Sequence, residues 1–139
     1  MIADAAYVRG VGNLPPDTAN EAIAPHLDAA GIRLRRWVGP TAYADAESVS
    51  PADPERKLAL KLAEAHLALA VAFTSFAGTY RENQGFQGGG SLMEGQASYL
   101  SPKQVAVLQE DHLAQAEALA RPYLLPGAVL AGQALGAGR

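Results

Sequence analysis

The sequence contains no cysteine, which removes disulfides, thiolate metal sites and cysteine nucleophiles together and leaves the redox compartment open. β-Branched residues are scarce: valine, isoleucine and threonine together number 15, against 29 alanines and 17 leucines, an imbalance that favours helix over strand. There is no excess of positive charge either. Eleven basic against fourteen acidic residues give a net charge of -3, so no global field exists to hold nucleic acid phosphates. Charged residues make up only 18% of the chain and hydrophobic ones 49%, which excludes a wholly disordered polymer. At 139 residues the expectation is one domain with its own core. An uninterrupted apolar span is lacking as well: the stretch from Leu58 to Ala77 is broken by Lys61, Glu64 and His66, and a charge at mid-bilayer depth costs about 2.5–3.5 kcal/mol. Met1-Ile2-Ala3-Asp4 carries an acid where a secretory signal is basic, so a soluble protein without a cleaved signal is expected.

What is present is helical punctuation. Residues 1–16 end in Gly10-Val11-Gly12-Asn13-Leu14-Pro15-Pro16 and read as a lead-in. Thr18 with Glu21 has the form of a capping box, and Pro25 predicts a split into a short helix to Ala24 and a second over 25–38. Within this segment, Ile23, Leu27, Ala30, Leu34 and Trp37 or Val38 form one apolar stripe, and Gly39-Pro40 stops it. Residues 41–53 read as a loop with one helical turn around Tyr43. Asp53 as cap and Pro54 at the first position open the strongest helix, predicted over 54–80 and about 39 Å long. Leu58, Leu62, Ala65, Leu69 and Ala72 or Phe73 mark one face, yet Leu60, Leu67 and Val71 lie off it, so the second half of this helix must be covered on several sides. Residues 81–100 hold five glycines alongside Phe86, Leu92, Met93, Tyr99 and Leu100, and read as a mobile loop to which a loose hairpin is also open. Ser101-Pro102 with Gln104 caps a third helix, predicted over 102–121. Residues 124–139 follow as an apolar, glycine-rich tail. The expected fold is therefore all-α: one domain over 1–139, a small bundle around one long central helix.

The chemistry is sparse. His26, His66 and His112 stand alone in the sequence, none one turn from another, so no metal-binding spacing exists. Folding would have to bring His66 to Glu110-Asp111-His112 to make a metal constellation, and Asp111 and His112 diverge by about 100° on one helix. The glycines of 85–90 lack the lysine and hydroxyl of a phosphate loop and follow a helix rather than a strand. Arg33, Arg35 and Arg36 beside Trp37 are better explained as a solvated face with Trp37 in the core than as a phosphate grip. Thr74 and Ser75 have no base at a neighbouring helical position. No catalytic residue, cofactor or metal is expected, and the chain is not expected to be an enzyme. Apolar surface beyond what a short bundle can hide points to assembly.

Leu14-Pro15-Pro16-Asp17-Thr18 leading into a helix, Leu27-Asp28-Ala29-Ala30 through Trp37-Val38-Gly39, an acidic loop, and the alanine-rich helix Lys57 to Tyr80 with Ala65-His66-Leu67 together resemble the head–tail connector, or adaptor, proteins of tailed bacteriophages and gene transfer agents. The resemblance covers some half of the chain. It implies a homo-oligomeric ring beneath the portal protein that extends the DNA exit channel, neighbours a tail or stopper protein, and lets DNA only pass through. It also implies a place in the virion after assembly in the host cytoplasm. Phe86, Leu92, Met93, Tyr99, Leu124, Leu125 and Leu130 are the expected partner-binding residues, ordering on a neighbour. A small helical regulator or ligand-binding protein, with its pocket between the long and last helices, is the alternative, and a metal-dependent enzyme using His66, Asp111 and His112 a third.

Overall fold

The computed structural model describes residues 1–87, 102–128 and 130. Five helices run in the order α1 (Ala5–Gly12), α2 (Asn20–Val38), α3 (Pro40–Glu47), α4 (Pro54–Gln87) and α5 (Pro102–Ala120), and a 3-10 turn, Arg121–Tyr123, closes α5. No strand occurs among the described residues. The all-α expectation holds, with α4 as the shared centre: α1, α2, α3 and α5 each pack against it.

The N-terminal lead-in is itself helical. Asp4 Oδ1 accepts the Tyr7 N–H at 2.8 Å, and Asn13 at φ 53 turns the chain out while Leu14 N–H closes on Arg9 O at 3.0 Å. The cap and this left-handed exit suffice for a helix of eight residues, so Gly10 and Gly12 lie inside it rather than in a turn. Gly12 is there because α1 crosses α4 closely: a Cβ would stand 2.5 Å from Leu69 Cδ2.

The expected break at Pro25 is absent, since α2 is continuous from Asn20 to Val38. Pro25 sits near the start of the helix, where it deprives only the Glu21 carbonyl of a partner, and Glu21 is exposed to water that can take its place. The Thr18–Glu21 capping box is also absent. Ala19 occupies the cap without a side-chain bond, and Thr18 Oγ1 is buried without a partner among the described residues. The predicted stripe is as expected: Ile23, Leu27, Ala30, Leu34, Trp37 and Val38 are all buried. Gly39, at φ 93, reverses the chain in one residue, and Pro40 opens α3 where a loop with a single turn was expected.

Asp53 caps α4 as predicted, accepting the Arg56 N–H at 3.0 Å. Asp45 pins the preceding loop by accepting Ala52 N–H at 2.7 Å and the Arg56 guanidinium at 3.1 Å. Every residue from Ala63 to Ala70 is buried, the all-round coverage expected from Leu60 and Leu67, but Val71, for which cover was also expected, is 46% exposed. Leu58, placed on the buried stripe by its spacing, is instead 65% exposed. Leu62, on the same stripe, is only partly buried, while Leu60, placed off it, has no exposed surface, so the covered face in the first turns of α4 is that of Leu60. At its other end α4 continues to Gln87, so residues 81–87, expected as the start of a loop, are helical; the rest of that segment, 88–100, lies outside the described residues.

α5 runs back along α4, with His112 facing His66. Beyond its 3-10 turn, Leu125 N–H bonds Trp37 O at 2.8 Å, so the C-terminal ends of α2 and α5 lie side by side. The two helices therefore run the same way along α4, on different sides of it.

Candidate functional site

Two groups of polar side chains are set into the core, both on α4. The first is Glu64, fully buried between Ala63 and Ala65. Its Oε1 accepts the backbone N–H groups of Ile2 at 2.8 Å and Ala3 at 2.7 Å, and its Oε2 accepts the Tyr43 hydroxyl. Burial pushes the Glu64 carboxyl above its ordinary range, and the bonds from Tyr43, Ala3 and Ile2 pull the other way. Burial, and then the hydrogen bond and charge of Glu64, hold the Tyr43 phenol protonated. Gly31 makes room for the pair: a Cβ there would lie 2.7 Å from Tyr43 Oη and 3.2 Å from Glu64 Oε2. The arrangement ties α3, α4 and the first residues of the chain together beside α2 and gives both carboxylate oxygens and the phenol a partner, which is the work of a structural anchor. Sequence reasoning noted Glu64 only as an interruption of an apolar run. Its position among alanines in an all-round buried helix is the signal that called for a partner.

The second group is His66 with His112. Their Nδ1 atoms are 2.9 Å apart and their ring centroids 5.1 Å, so at neutral pH one ring donates its proton to the other. Folding does bring His66 to the Glu110-Asp111-His112 segment. Asp111, however, accepts the Gln115 amide at 3.1 Å on the exposed side of α5, and among the described residues no group of three or more His, Asp or Glu side chains is arranged to hold a metal ion. The rings face each other across the seam between α4 and α5, where the ligand-binding alternative placed its pocket.

Burial depresses both imidazoles, with Asp111 opposing, and the charge of His66 adds to the effect on His112, which falls to about 4. Each ring binds protons less readily in the folded chain than in the unfolded one, where 6.5 is the ordinary value. Stability from the pair is therefore complete above about pH 6.5 and lost as the pH falls toward 4. Allowing for partial exposure to solvent, acidification across this window is expected to cost on the order of 1–2 kcal/mol. Urea titrations at pH 7 and pH 4.5 measure it, and the double variant His66→Asn, His112→Asn should show a flatter dependence; an equal slope in both proteins would remove the pair as its source.

The expected partner-binding residues separate. Leu125 is 44% exposed, Leu124 is partly buried against the core, and Leu130 is fully buried within it. Leu130 thus has no apolar area in reserve, because the chain turns back at Gly127, φ 83, and delivers it to the bundle. Leu92, Met93 and Tyr99 lie outside the described residues, as does the side chain of Phe86. Trp37 is 3% exposed with the Arg33 guanidinium 5.7 Å from its ring centre, the core placement expected of it, while Arg35 and Arg36 face solvent. Exposed apolar side chains that spacing did not single out include Ile32 at 58%, Val49 at 95% and Val107 at 58%. Comparison with known protein families, with characterised proteins and with solved structures finds no match. No helix among the described residues is long and apolar enough to cross a membrane.

Proposed function

We propose that this chain is a structural assembly protein, a head–tail adaptor that forms a ring below a phage portal and extends the DNA exit channel. The observation that carries the reading is the disproportion of α4. At 34 residues it is about 51 Å long, against about 28 Å for the 19-residue α5. With His112 opposite His66, Pro102 comes level with Phe76, and α4 runs on to Gln87. A core of this size needs no helix that long, whereas a component that reaches to neighbouring subunits does. The polar groups in the core support it from the other side: Glu64 and Tyr43 serve the fold, and the histidine pair has no third ligand among the described residues. Portal and tail or stopper proteins are the partners this reading requires, with Phe86, Leu92, Met93, Tyr99, Leu124 and Leu125 as docking residues, and a net charge of -3 suits a channel that DNA passes through without binding.

Size-exclusion chromatography with light scattering, with and without a portal ring, tests it. The chain should co-elute with the ring, and combined Phe86→Ser, Met93→Ser and Leu125→Ser changes should abolish co-elution while leaving the helical spectrum intact. Removing residues 131–139 is the informative truncation, since it spares Leu130 and with it the core. A chain that ignores the portal at every concentration would end the adaptor reading.

A further inference from the structure

We infer that the outward face of α2 docks on the outward face of α5 in a second copy of this chain. This inference rests on the assembly reading above and supplies the contact between neighbours that a ring requires. On α2 the exposed face carries Ile32, 58% exposed, followed at three and four residues by Arg35 and Arg36, both exposed. On α5 it carries Val107, also 58% exposed, followed at the same three and four residues by Glu110 and Asp111, both exposed. Each helix thus presents one apolar side chain and, one turn toward its C-terminus, two charges; the charges are basic on one helix and acidic on the other.

The match requires the two helices to lie parallel. α2 and α5 run the same way along α4, so when two copies sit side by side in the same orientation, α2 of the first lies parallel to α5 of the second. In that register Ile32 meets Val107 while Arg35 and Arg36 meet Glu110 and Asp111. In the same parallel register, pairing α2 with α2, or α5 with α5, sets like charges together and is disfavoured. Within one copy the faces cannot satisfy each other, because both helices pack on α4 and their outer faces point away from it. Neither Arg35 nor Arg36 forms an ion pair among the described residues. A contact between two different faces repeats from copy to copy and closes into a ring where its rotation allows. Each contact is small and rim-like, so it is weak alone and depends on salt.

The chain has no cysteine, which makes disulfide trapping clean. Ile32→Cys and Val107→Cys are prepared as separate full-length proteins and mixed under mild oxidation. The mixture should give covalent dimers at least about tenfold faster than either protein alone, through the raised effective concentration of a docked pair. It should also outpace a mixture of Ile32→Cys with Val49→Cys, whose position is 95% exposed and off both faces. Adding Arg36→Glu to the first protein should abolish the excess, and adding Glu110→Arg to the second should restore it. A rate equal to the Val49 control, or an Ile32→Cys protein that dimerises as fast by itself, overturns the contact. The portal co-elution experiment reads separately: cross-linking without portal binding keeps the contact and removes the adaptor reading, and portal binding without cross-linking does the reverse.

Discussion

Replacing Leu69 by aspartate is expected to unfold the protein or lower its stability by about 4–5 kcal/mol, a large share of what a domain of this size holds. Leu69 has no exposed surface, and its Cδ2 fills the space at Gly12 that a Cβ would otherwise occupy, so it is the point where α1 meets α4. An aspartate there has no described donor in reach comparable to those around Glu64, and it also empties the volume beneath α1. Urea denaturation followed by circular dichroism measures the loss. The matching change Leu58→Asp, at a site 65% exposed, should move the midpoint little; equal effects at the two sites would contradict the placement of α4.

Glu64→Leu is expected to cost about 3–5 kcal/mol although it makes the core more apolar. The N–H groups of Ile2 and Ala3 and the hydroxyl of Tyr43 would all lose their acceptor, and at least the Ala3 bond is fully buried. Tyr43→Phe removes one of three bonds to the carboxylate and should cost about 1.5–3 kcal/mol. If the double variant Glu64→Leu, Tyr43→Phe recovers part of the loss of Glu64→Leu alone, the cost lies in the orphaned hydroxyl; strict additivity would mean the two groups do not act as a unit. Thermal melts at pH 7 report all four proteins.

Local signals were legible in the sequence where the determinant was local. The α2 stripe ending in Trp37, the Asp53-Pro54 start of α4 and the Pro102 start of α5 each rest on residues within a turn or two of one another. Where tertiary contacts decide, the pattern misled. Pro25 did not split α2, since the one carbonyl it orphans is at the wet edge. Leu58 kept the helical period but fell on the face of α4 opposite Leu60, and it is the Leu60 face that the fold covers. The glycines of α1 looked like turn formers because their use, close approach to Leu69, depends on a residue far along the chain. The candidate sites were hidden for the same reason. Tyr43 and Glu64 are separated by 21 positions and His66 and His112 by 46, and no spacing rule links residues that distant. What the sequence could state was that a charged side chain between buried alanines needs a partner, though not which one.

The buried surface of α4 is furnished largely by alanine: Ala63, Ala65, Ala68 and Ala72 have almost no exposed area. Methyl side chains let neighbouring helices draw close, and they leave almost nothing that a smaller residue could take away. Mutational drift in this segment is therefore lopsided. Replacement by glycine gives up little volume, whereas any added heavy atom pushes on a neighbouring helix that has nowhere to go. Over evolutionary time such a helix should hold its small residues while its partners vary around it, with α4 acting as the fixed template against which the outer helices, and the surfaces they present, are free to diverge.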